Sequence, residues 1–365
     1  MAQQKPRKPP LPCIAIIILL SLQHSNTFRL LSKSFVNNRP YHSAFTTRMS
    51  SSLKFVDIGA NLLDERFTEG SYNGKVRHEP DWEDILQRSV DTGVTHIILT
   101  AGTLRESRRA LDLVRELRLK NETISFGCTI GVHPTRTKQE FIDTEDDPEY
   151  VLNELRQLAI DGLTDKSVLA IGEIGLDYDR LEFSPKEIQQ EYFEKQLQTF
   201  HSTTVLHSLP LFLHNRNVDR DLVHVLQKDI TRRCKGVVHS FDGTLELANE
   251  FIDMGLYIGL NGCSLKTAEN LRVVKAIPLE KILLETDCPY CDVKATHAGY
   301  EFVKTKFIQK NYKKFEPGKM VKGRNEPCQI IQVAEVIAGV KEISVKEVAD
   351  VCYLNSMNLY GFANL

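Results

Sequence analysis

The sequence has almost no excess of charge of either sign. Its 46 Lys and Arg residues balance 48 Asp and Glu residues, which leaves a formal net charge of −2 at pH 7. A chain this close to neutral has no overall attraction for a polyanion. Any affinity for nucleic acid must therefore come from local basic patches or from bound cations.

Cysteine is also scarce, with eight residues among 365. They are scattered through apolar stretches, which argues against the disulfide framework of a small secreted domain and favours a reducing compartment. Cys288-Pro-Tyr-Cys291 has the spacing of a glutaredoxin active site. A glutaredoxin is a much shorter domain whose motif follows an early strand, so we do not assign that function.

The first 56 residues contain no Asp or Glu. They are rich in Ser and Thr and carry eight Lys and Arg residues, which is typical of an organellar transit peptide. The apolar run Leu11 to Leu22 is too short for a membrane span. It resembles the apolar core of a secretory signal peptide, but no A-x-A-like cleavage site follows closely, so we favour the transit peptide over the secretory signal. We predict that residues 1–52 are a poorly ordered targeting segment for a mitochondrion or plastid. A start at Met49 would instead give a nuclear or cytoplasmic form.

No G-x-G-x-x-G motif follows the first apolar run, which argues against a doubly wound dinucleotide-binding sheet. Short runs rich in Val, Ile and Leu alternate with segments of helical period, as in parallel sheets covered on both faces. No stretch after residue 52 resembles a membrane segment, so we expect no membrane partner for the mature form. The eight runs rich in Val, Ile and Leu predict a TIM (β/α)8 barrel over residues 53–365. The predicted strands are Leu53–Gly59, Thr95–Ala101, Ile124–Gly131, Ser167–Gly172, Leu209–Leu213, Lys235–Val238, Leu256–Leu260 and Lys281–Glu285.

Polar side chains close several of these runs, at the end of the barrel where such folds place their chemistry. Glu173, His214, His239 and Asp287 each end a different strand. A lone His or Asp at a strand end is more often structural, or the N-cap of the next helix. Four together suit a divalent cation, because imidazole nitrogen and carboxylate oxygen are common ligands of Zn, Mn and similar ions.

One or two divalent ions at this mouth would activate water and offset charge on a phosphoryl transition state. In that arrangement Glu173 is expected to bridge two ions. Asp287 is expected to ligate one ion and accept the proton of the attacking water. These two residues are therefore the predicted catalytic pair.

A long insertion, residues 288–325, follows the eighth predicted strand. It carries nine Lys and Arg residues against three Asp and Glu residues, and six aromatic residues lie among them. Basic residues interleaved with aromatics suit a single-stranded nucleic acid, whose phosphates meet the charges while its bases stack. A solvated loop that is merely basic is the alternative.

Several ordered motifs at matching barrel positions closely resemble the TatD family of metal-dependent deoxyribonucleases, over roughly residues 55 to 362. The sequence 257–264 and the insertion are similar to the eukaryotic branch of that family. The matching motifs are Phe55-Val-Asp-Ile-Gly-Ala-Asn-Leu62, Gly131-Val-His-Pro134, Ala170-Ile-Gly-Glu-Ile-Gly-Leu-Asp-Tyr178, Leu211-Phe-Leu-His-Asn-Arg216, Val238-His-Ser-Phe-Asp-Gly243, Leu284-Glu-Thr-Asp287 and Gly323-Arg-Asn-Glu-Pro327.

The resemblance implies magnesium-assisted hydrolysis of DNA, often from 3′ to 5′ on single strands or 3′ ends, in DNA repair or DNA fragmentation. It places the metal ligands on the four strand-end residues named above. Many relatives carry a His-x-His pair on the first strand, where this sequence has Gly59 and Asn61. Fewer nitrogen ligands favour Mg²⁺ or Mn²⁺ over tightly held Zn²⁺. The expected substrate contacts are His133, Arg216, Arg324 and Asn61.

Two other functions are consistent with this sequence. The same barrel mouth can activate water against a carbonyl, so a metal-dependent amidohydrolase or deacylase is the main alternative. A catalytically silent nucleic-acid-binding protein is the second, although such a protein has no need of clustered metal ligands. The sequence leaves the oligomeric state open.

Overall fold

Eight parallel strands surround a central axis in chain order. The computed structural model describes residues 53–228 and 235–362, so the predicted targeting segment lies outside the described residues. Each strand pairs with the next one along the chain, which confirms the predicted TIM barrel. The strands are β1 (Phe55–Ala60), β2 (Val94–Leu99), β3 (Ser125–Ile130), β4 (Val168–Asp177), β5 (Leu211–Arg216), β6 (Gly236–His239), β7 (Tyr257–Leu260) and β8 (Ile282–Leu284).

Helices cover the outside of this sheet. Amphipathic segments lie between successive strands, and each turns its apolar side to the barrel, as the helical period predicts. No described helix is both long enough and apolar enough to cross a bilayer. The main helices are α1 (Trp82–Thr92), α2 (Leu104–Lys120), α3 (Pro148–Thr164), α4 (Lys186–His201), α5 (Asp221–Lys228), α6 (Leu245–Asp253), α7 (Ala268–Ala276), α8 (Ile330–Lys341) and α9 (Val345–Tyr360).

Alternate residues of the strands fill the barrel interior. Val56 and Ile58 of β1 pack with Phe212 of β5 in one buried cluster, whereas Phe55 and Ala60 of the same strand belong to the larger cluster around it. Tyr360 and Phe362 belong to the same inner cluster. The end of α9 therefore closes the bottom of the barrel, and the opposite end remains for the site.

The barrel is closed by the residues that follow β8. Ala60 and Cys288 form a parallel bridge, and the backbone N–H of Asn61 donates to the Cys288 carbonyl at 2.8 Å. The N–H of Asp287 donates to the Gly59 carbonyl, also at 2.8 Å. The predicted metal ligand Asp287 is therefore held by the seam of the barrel.

β4 runs five residues beyond its predicted end at Gly172, to Asp177. The pairing with β5 shifts register between Ile171 and Ile174. A Cβ atom on Gly172 would lie 2.4 Å from the Phe212 carbonyl oxygen, so only glycine permits this close approach. The shift leaves Glu173 inside the strand and buried, with its carboxylate in the barrel mouth.

The insertion packs against the segment between β1 and α1. Tyr312 stacks on Tyr72 with ring centroids 4.8 Å apart, and Phe315 stacks on His78 at 4.1 Å. These two rings anchor the insertion instead of lying free to stack on bases, contrary to the sequence-based expectation. Most of the insertion's lysines remain exposed.

Candidate metal centre

Glu173 lies at the centre of a cluster of imidazoles in the barrel mouth. Its Oε1 atom is 2.6 Å from His239 Nε2, 2.7 Å from His214 Nδ1 and 3.3 Å from His133 Nε2. The facing nitrogens of His214 and His239 are themselves 3.1 Å apart. Three strands thus bring together three of the four predicted ligands, and His133, predicted as a substrate contact, joins them.

Each of the two closest histidines has a carboxylate behind it. Nε2 of His214 lies 3.2 Å from Asp177 Oδ2, and Nδ1 of His239 lies 3.6 Å from Glu285 Oε2. Both carboxylates are buried. A carboxylate behind the ring fixes the tautomer and orientation of a metal-binding histidine. Asp177 thus orients His214 by a hydrogen bond, whereas Glu285 faces His239 at ion-pair distance, and each ring presents its other nitrogen to Glu173.

The electrostatics of the cluster match this arrangement. Burial alone would raise the pKa of Glu173, but the charges of His239 and His133, together with hydrogen bonds from His133 and His214, hold it well below its ordinary value. Burial opposes protonation of His239, yet Glu173 and Glu285 raise its pKa well above its ordinary value. The carboxylates of Glu173, Asp177 and Glu285 therefore favour a positive charge in the barrel mouth, around the two rings.

Asp287, the fourth predicted ligand, is held on both carboxylate oxygens. Asn61 Nδ2 donates to Oδ1 at 2.7 Å, and the Cys291 thiol donates to Oδ2 at 3.0 Å. Burial raises the pKa of Asp287, and the charge of His239 opposes that rise, so the carboxylate lies within electrostatic reach of the imidazole cluster. Asn61 was predicted to contact substrate. Its Oδ1 accepts from Thr100 at 2.6 Å, so both ends of its amide are already bonded.

The donor set fits a divalent cation. Ligand atoms about 2 Å from one ion lie roughly 3 Å from one another. The spacing of the Glu173, His214 and His239 atoms matches that separation. His133, Glu173 and His214 also offer atoms that all lie within 4.8 Å of one another. The buried Oε2 atom of Glu285 has no hydrogen-bond partner, which leaves a negative charge behind His239 to favour an ion.

His133 differs from the other two rings. Its Nδ1 accepts a hydrogen bond from the Thr135 backbone N–H at 3.1 Å. The ring proton is therefore placed on Nε2, the atom that faces Glu173. This tautomer makes His133 a donor toward the site, in keeping with its predicted role as a phosphate contact.

The two predicted arginines occupy different environments. Arg216 lies at the rim, with Nη1 3.4 Å from Asp177 Oδ2 and about a third of its side chain exposed. Arg324 is buried, and its guanidinium donates to Asp81 at 2.6 and 2.7 Å and to Glu326 at 2.8 Å. Carboxylates occupy the donors that a phosphate would need. We therefore interpret Arg324 as a structural residue in place of the predicted phosphate contact.

Asp177 and Glu285 were not assigned a role from sequence, although a signal was present. Glu173 and Asp177 are four residues apart, so they face the same side of a continuous strand. The predicted end of β4 at Gly172 hid this relationship. Glu285 lies two residues before Asp287, but a position inside the barrel wall gave no reason to assign it to the site.

Comparison with known proteins decides the family. A family model described as TatD related DNase matches residues 56–361. The chain belongs to this family. As a member of a DNase family, the protein is an enzyme, a hydrolase that acts on phosphodiester bonds.

Individual members of the TatD related DNase family match most of the chain. Deoxyribonuclease Tat-D of Schizosaccharomyces pombe is 44% identical over 311 residues, which cover 84% of this chain and 96% of that protein. The 3′-5′ ssDNA/RNA exonuclease TatD of Citrobacter koseri is 33% identical and covers 64% of this chain and 78% of that protein. The crystal structure of a TatD family hydrolase from Entamoeba histolytica has a TM-score of 0.78 and 40% identity, covering 85% of this chain and 99% of that one.

Proposed function

We propose that this protein is a Mg²⁺-dependent deoxyribonuclease that shortens single-stranded DNA from its 3′ end. The observation that carries the proposal is the pair of histidines, each with one nitrogen toward Glu173 and the other toward a buried carboxylate. A structural histidine needs no such pair of carboxylates. A metal-binding histidine uses one to orient its ring.

Glu173, His214, His239 and Asp287 would hold the ion or ions. When bound, the metal lowers the pKa of a water molecule and offsets negative charge on the phosphoryl group. On the first strand, the amide of Asn61 donates a hydrogen bond to Asp287, and Gly59 has no side chain to bind a metal ion. With few nitrogen ligands available, Mg²⁺ or Mn²⁺ suits the site better than Zn²⁺.

The chain's own residues supply positioning and proton transfer. Arg216 at the rim and the Nε2–H of His133 would donate to the oxygens of the scissile phosphate, and their positions beside Asp177 and Glu173 support these roles. Charge-assisted bonds of this kind orient a phosphate and stabilise charge that develops in the transition state. The Asp287 carboxylate accepts the proton of the attacking water.

The names of two relatives support the direction and the substrate. The Schizosaccharomyces pombe protein is named a deoxyribonuclease, and the Citrobacter koseri protein a 3′-5′ ssDNA/RNA exonuclease. Exposed lysines in the insertion give the surface beside β8 a positive charge suited to a phosphate backbone. We extend these properties to this chain as part of the proposal.

The test uses the full-length protein and one DNA strand labelled separately at each end. A 3′ to 5′ exonuclease gives a descending ladder from the 5′-labelled strand and an early labelled mononucleotide from the 3′-labelled strand. We expect both patterns with Mg²⁺ or Mn²⁺, and neither with a chelator or with Glu173→Ala. Glu182→Ala, at an exposed position, is the matched control and should cleave normally.

Cleavage without early release of the labelled mononucleotide would support nuclease activity but exclude the proposed 3′ to 5′ direction. Absence of nucleotide release under any metal, from folded and metal-loaded protein, would favour the amidohydrolase alternative. Release of an acyl product would then decide for it.

We also propose that residues 1–52 direct the chain to an organelle and that Met49 starts a second form. The support is the absence of acidic residues together with the Lys, Arg, Ser and Thr content of this segment. Fluorescently tagged full-length and Met49-start forms should differ in location. Identical distributions would reject the proposal.

A further inference from the structure

Two thiols lie in contact beside the metal centre. Six cysteines fall within the described residues, and Cys128, Cys288, Cys328 and Cys352 are buried. Cys263 and Cys291 are instead partly exposed, and their Sγ atoms are 2.9 Å apart. Cys263 lies in the turn after β7, and Cys291 lies in the segment after β8. The contact therefore joins two loops of the barrel mouth.

The backbone holds this pair together. A Cβ atom on Gly262 would lie 2.2 Å from the Cys291 carbonyl oxygen, so the two loops approach as closely as only glycine allows. Asn261 stabilises the turn that contains Cys263, because its Oδ1 accepts a hydrogen bond from the Cys263 N–H at 2.8 Å. Its Nδ2 donates to Glu285 at 3.0 Å. The backbones of the two loops are thus in contact beside the thiols.

One of these thiols also touches the metal centre. Cys291 Sγ lies 3.0 Å from Asp287 Oδ2, while Asn61 donates to Oδ1 of the same carboxylate. The Cys291 thiol is therefore one of two side-chain groups that donate hydrogen bonds to the Asp287 carboxylate. Any chemistry that consumes the thiol proton changes the support of a metal ligand.

We propose that Cys263 and Cys291 are a reversible oxidation site, in which a disulfide withdraws the Cys291 proton from Asp287 and slows the enzyme. The effect on turnover rests on the proposed function. Formation of the disulfide and its effect on the ion do not require that function.

The oxidant is a peroxide, and the reaction consumes two thiols. The thiolate of Cys263 attacks one peroxide oxygen and breaks the O–O bond, which leaves a sulfenic acid and, with hydrogen peroxide, one water molecule. The Cys291 sulfur then attacks the Cys263 sulfur. The new S–S bond displaces hydroxide, which leaves as a second water with the Cys291 proton. A thiol reductant reverses the reaction by exchange.

Surroundings favour Cys263 as the attacking thiol. The single proton of Cys291 can be donated to Asp287 or to the Cys263 sulfur. Donation to Cys263, together with the positive charge of Lys266, lowers the pKa of Cys263 to about 7. A larger thiolate fraction makes a partly exposed cysteine more reactive toward peroxide. Cys288, the first cysteine of the Cys-Pro-Tyr-Cys motif, is fully buried, and burial raises its pKa well above its ordinary value. The reactive pair therefore combines the second cysteine of the motif with a residue from another loop.

The test treats the full-length protein with hydrogen peroxide and then maps its peptides without reduction. We expect a peptide that links Cys263 to Cys291, a mass loss of about 2 Da, and reversal by dithiothreitol. Loss of one outer support should weaken Mn²⁺ binding in calorimetry about tenfold and slow DNA cleavage by a similar factor. Cys263→Ser should retain the basal rate and lose the response to peroxide, whereas Cys352→Ser should respond as the original chain does.

Absence of the linked peptide would overturn the proposal, as would a linked peptide with unchanged Mn²⁺ affinity. A response to peroxide that persists in Cys263→Ser would also overturn it. If the reduced protein does not cleave DNA at all, the proposed function fails, and the linked peptide together with the Mn²⁺ affinity still decides the oxidation site.

Discussion

Asn61 donates a 2.7 Å hydrogen bond from Nδ2 to Oδ1 of Asp287, across the seam where β1 meets the segment after β8. Thr100 Oγ1 donates to the other end of the amide at 2.6 Å. Both hydrogen bonds orient Asn61, so its amide cannot rotate without losing one of them. The first strand thus contributes to the site by positioning a carboxylate from the last one.

Replacing Asn61 tests this positioning role. Asn61→Leu keeps the approximate volume and removes the donor to Asp287, so we expect kcat on single-stranded DNA to fall by about 10- to 100-fold. A residue that binds DNA directly would instead raise KM. Thr100→Val, which frees only the far end of the amide, should give a smaller loss of kcat. A rise of KM at constant kcat in Asn61→Leu would restore the predicted substrate contact.

Replacing Asp177 tests the metal site by its affinity for the ion, independently of turnover. Asp177→Asn replaces the carboxylate behind His214 by an amide of the same shape, which no longer favours the ring orientation that presents Nδ1 to Glu173. We expect the Mn²⁺ affinity measured by calorimetry to fall about 10- to 100-fold. Asp112→Asn, at an exposed position on α2, is the control. Equal affinities of the two variants would exclude Asp177 from the metal site.

Much of this architecture could be predicted because the buried strands have a strong local signal. Seven of the eight predicted strands match the observed bounds to within three residues, since strands covered on both faces are continuous apolar runs. The exception is β4. Its second half contains Glu173, Gly175 and Asp177, and a polar, glycine-containing segment does not have the pattern of a buried strand.

The site could be predicted where it depends on strand ends and not where it depends on contacts between distant segments. His214 and His239 are each the polar residue at the end of an apolar run, so their meeting follows from barrel closure. Arg324 lies in a basic insertion, and its sequence neighbours give no indication that Asp81 will pair with it 243 positions away. The contact of Cys263 with Cys291 is hidden in the same way.

The buried Arg324 should matter for stability. Arg324→Met leaves Asp81 and Glu326 with Arg88 as their one remaining shared cation among the described residues. Breaking a buried pair from one side costs about 3 to 5 kcal/mol. We expect urea unfolding to show a loss of that order in the free energy of unfolding. Lys322→Met, at the exposed position two residues earlier, should change it by less than about 0.5 kcal/mol. A similar small change in Arg324→Met would contradict the structural role.

Lysines of the insertion should contribute to DNA binding. Lys304, Lys314 and Lys322 are exposed, and we expect their combined replacement by Gln to weaken single-strand binding and flatten its salt dependence. Each lost phosphate contact lowers the slope of log K against log salt by roughly 0.7, so three contacts would lower it by roughly 2. The matched control replaces Lys54, Lys120 and Lys235, which are exposed near the starts of strands at the opposite end of the barrel. Equal slopes for both triple variants would show that the insertion is merely a basic loop.

His96 makes the stability of the barrel depend on pH at the end opposite the site. Its ring packs 4.3 Å from Phe362, and burial lowers its pKa from 6.5 to about 4. The unfolded chain takes up a proton near pH 6.5, whereas the folded chain does so only near pH 4. The unfolded state therefore binds more protons within this window, and stability must fall as the pH decreases through it.

The loss due to His96 should reach about 2 to 3 kcal/mol between pH 6.5 and pH 4, with little further loss below pH 4. His96→Phe keeps a ring beside Phe362 and removes the proton, so its urea unfolding should depend less on pH over that window. Other groups titrate in both proteins, which is why the quantity to compare is the difference between the two curves. His224→Gln, at an exposed position on α5, controls for the loss of a histidine. Because the folded chain keeps His96 neutral, the curves should separate most at pH 4, and parallel curves would mean that this ring stays accessible to protons in the folded protein.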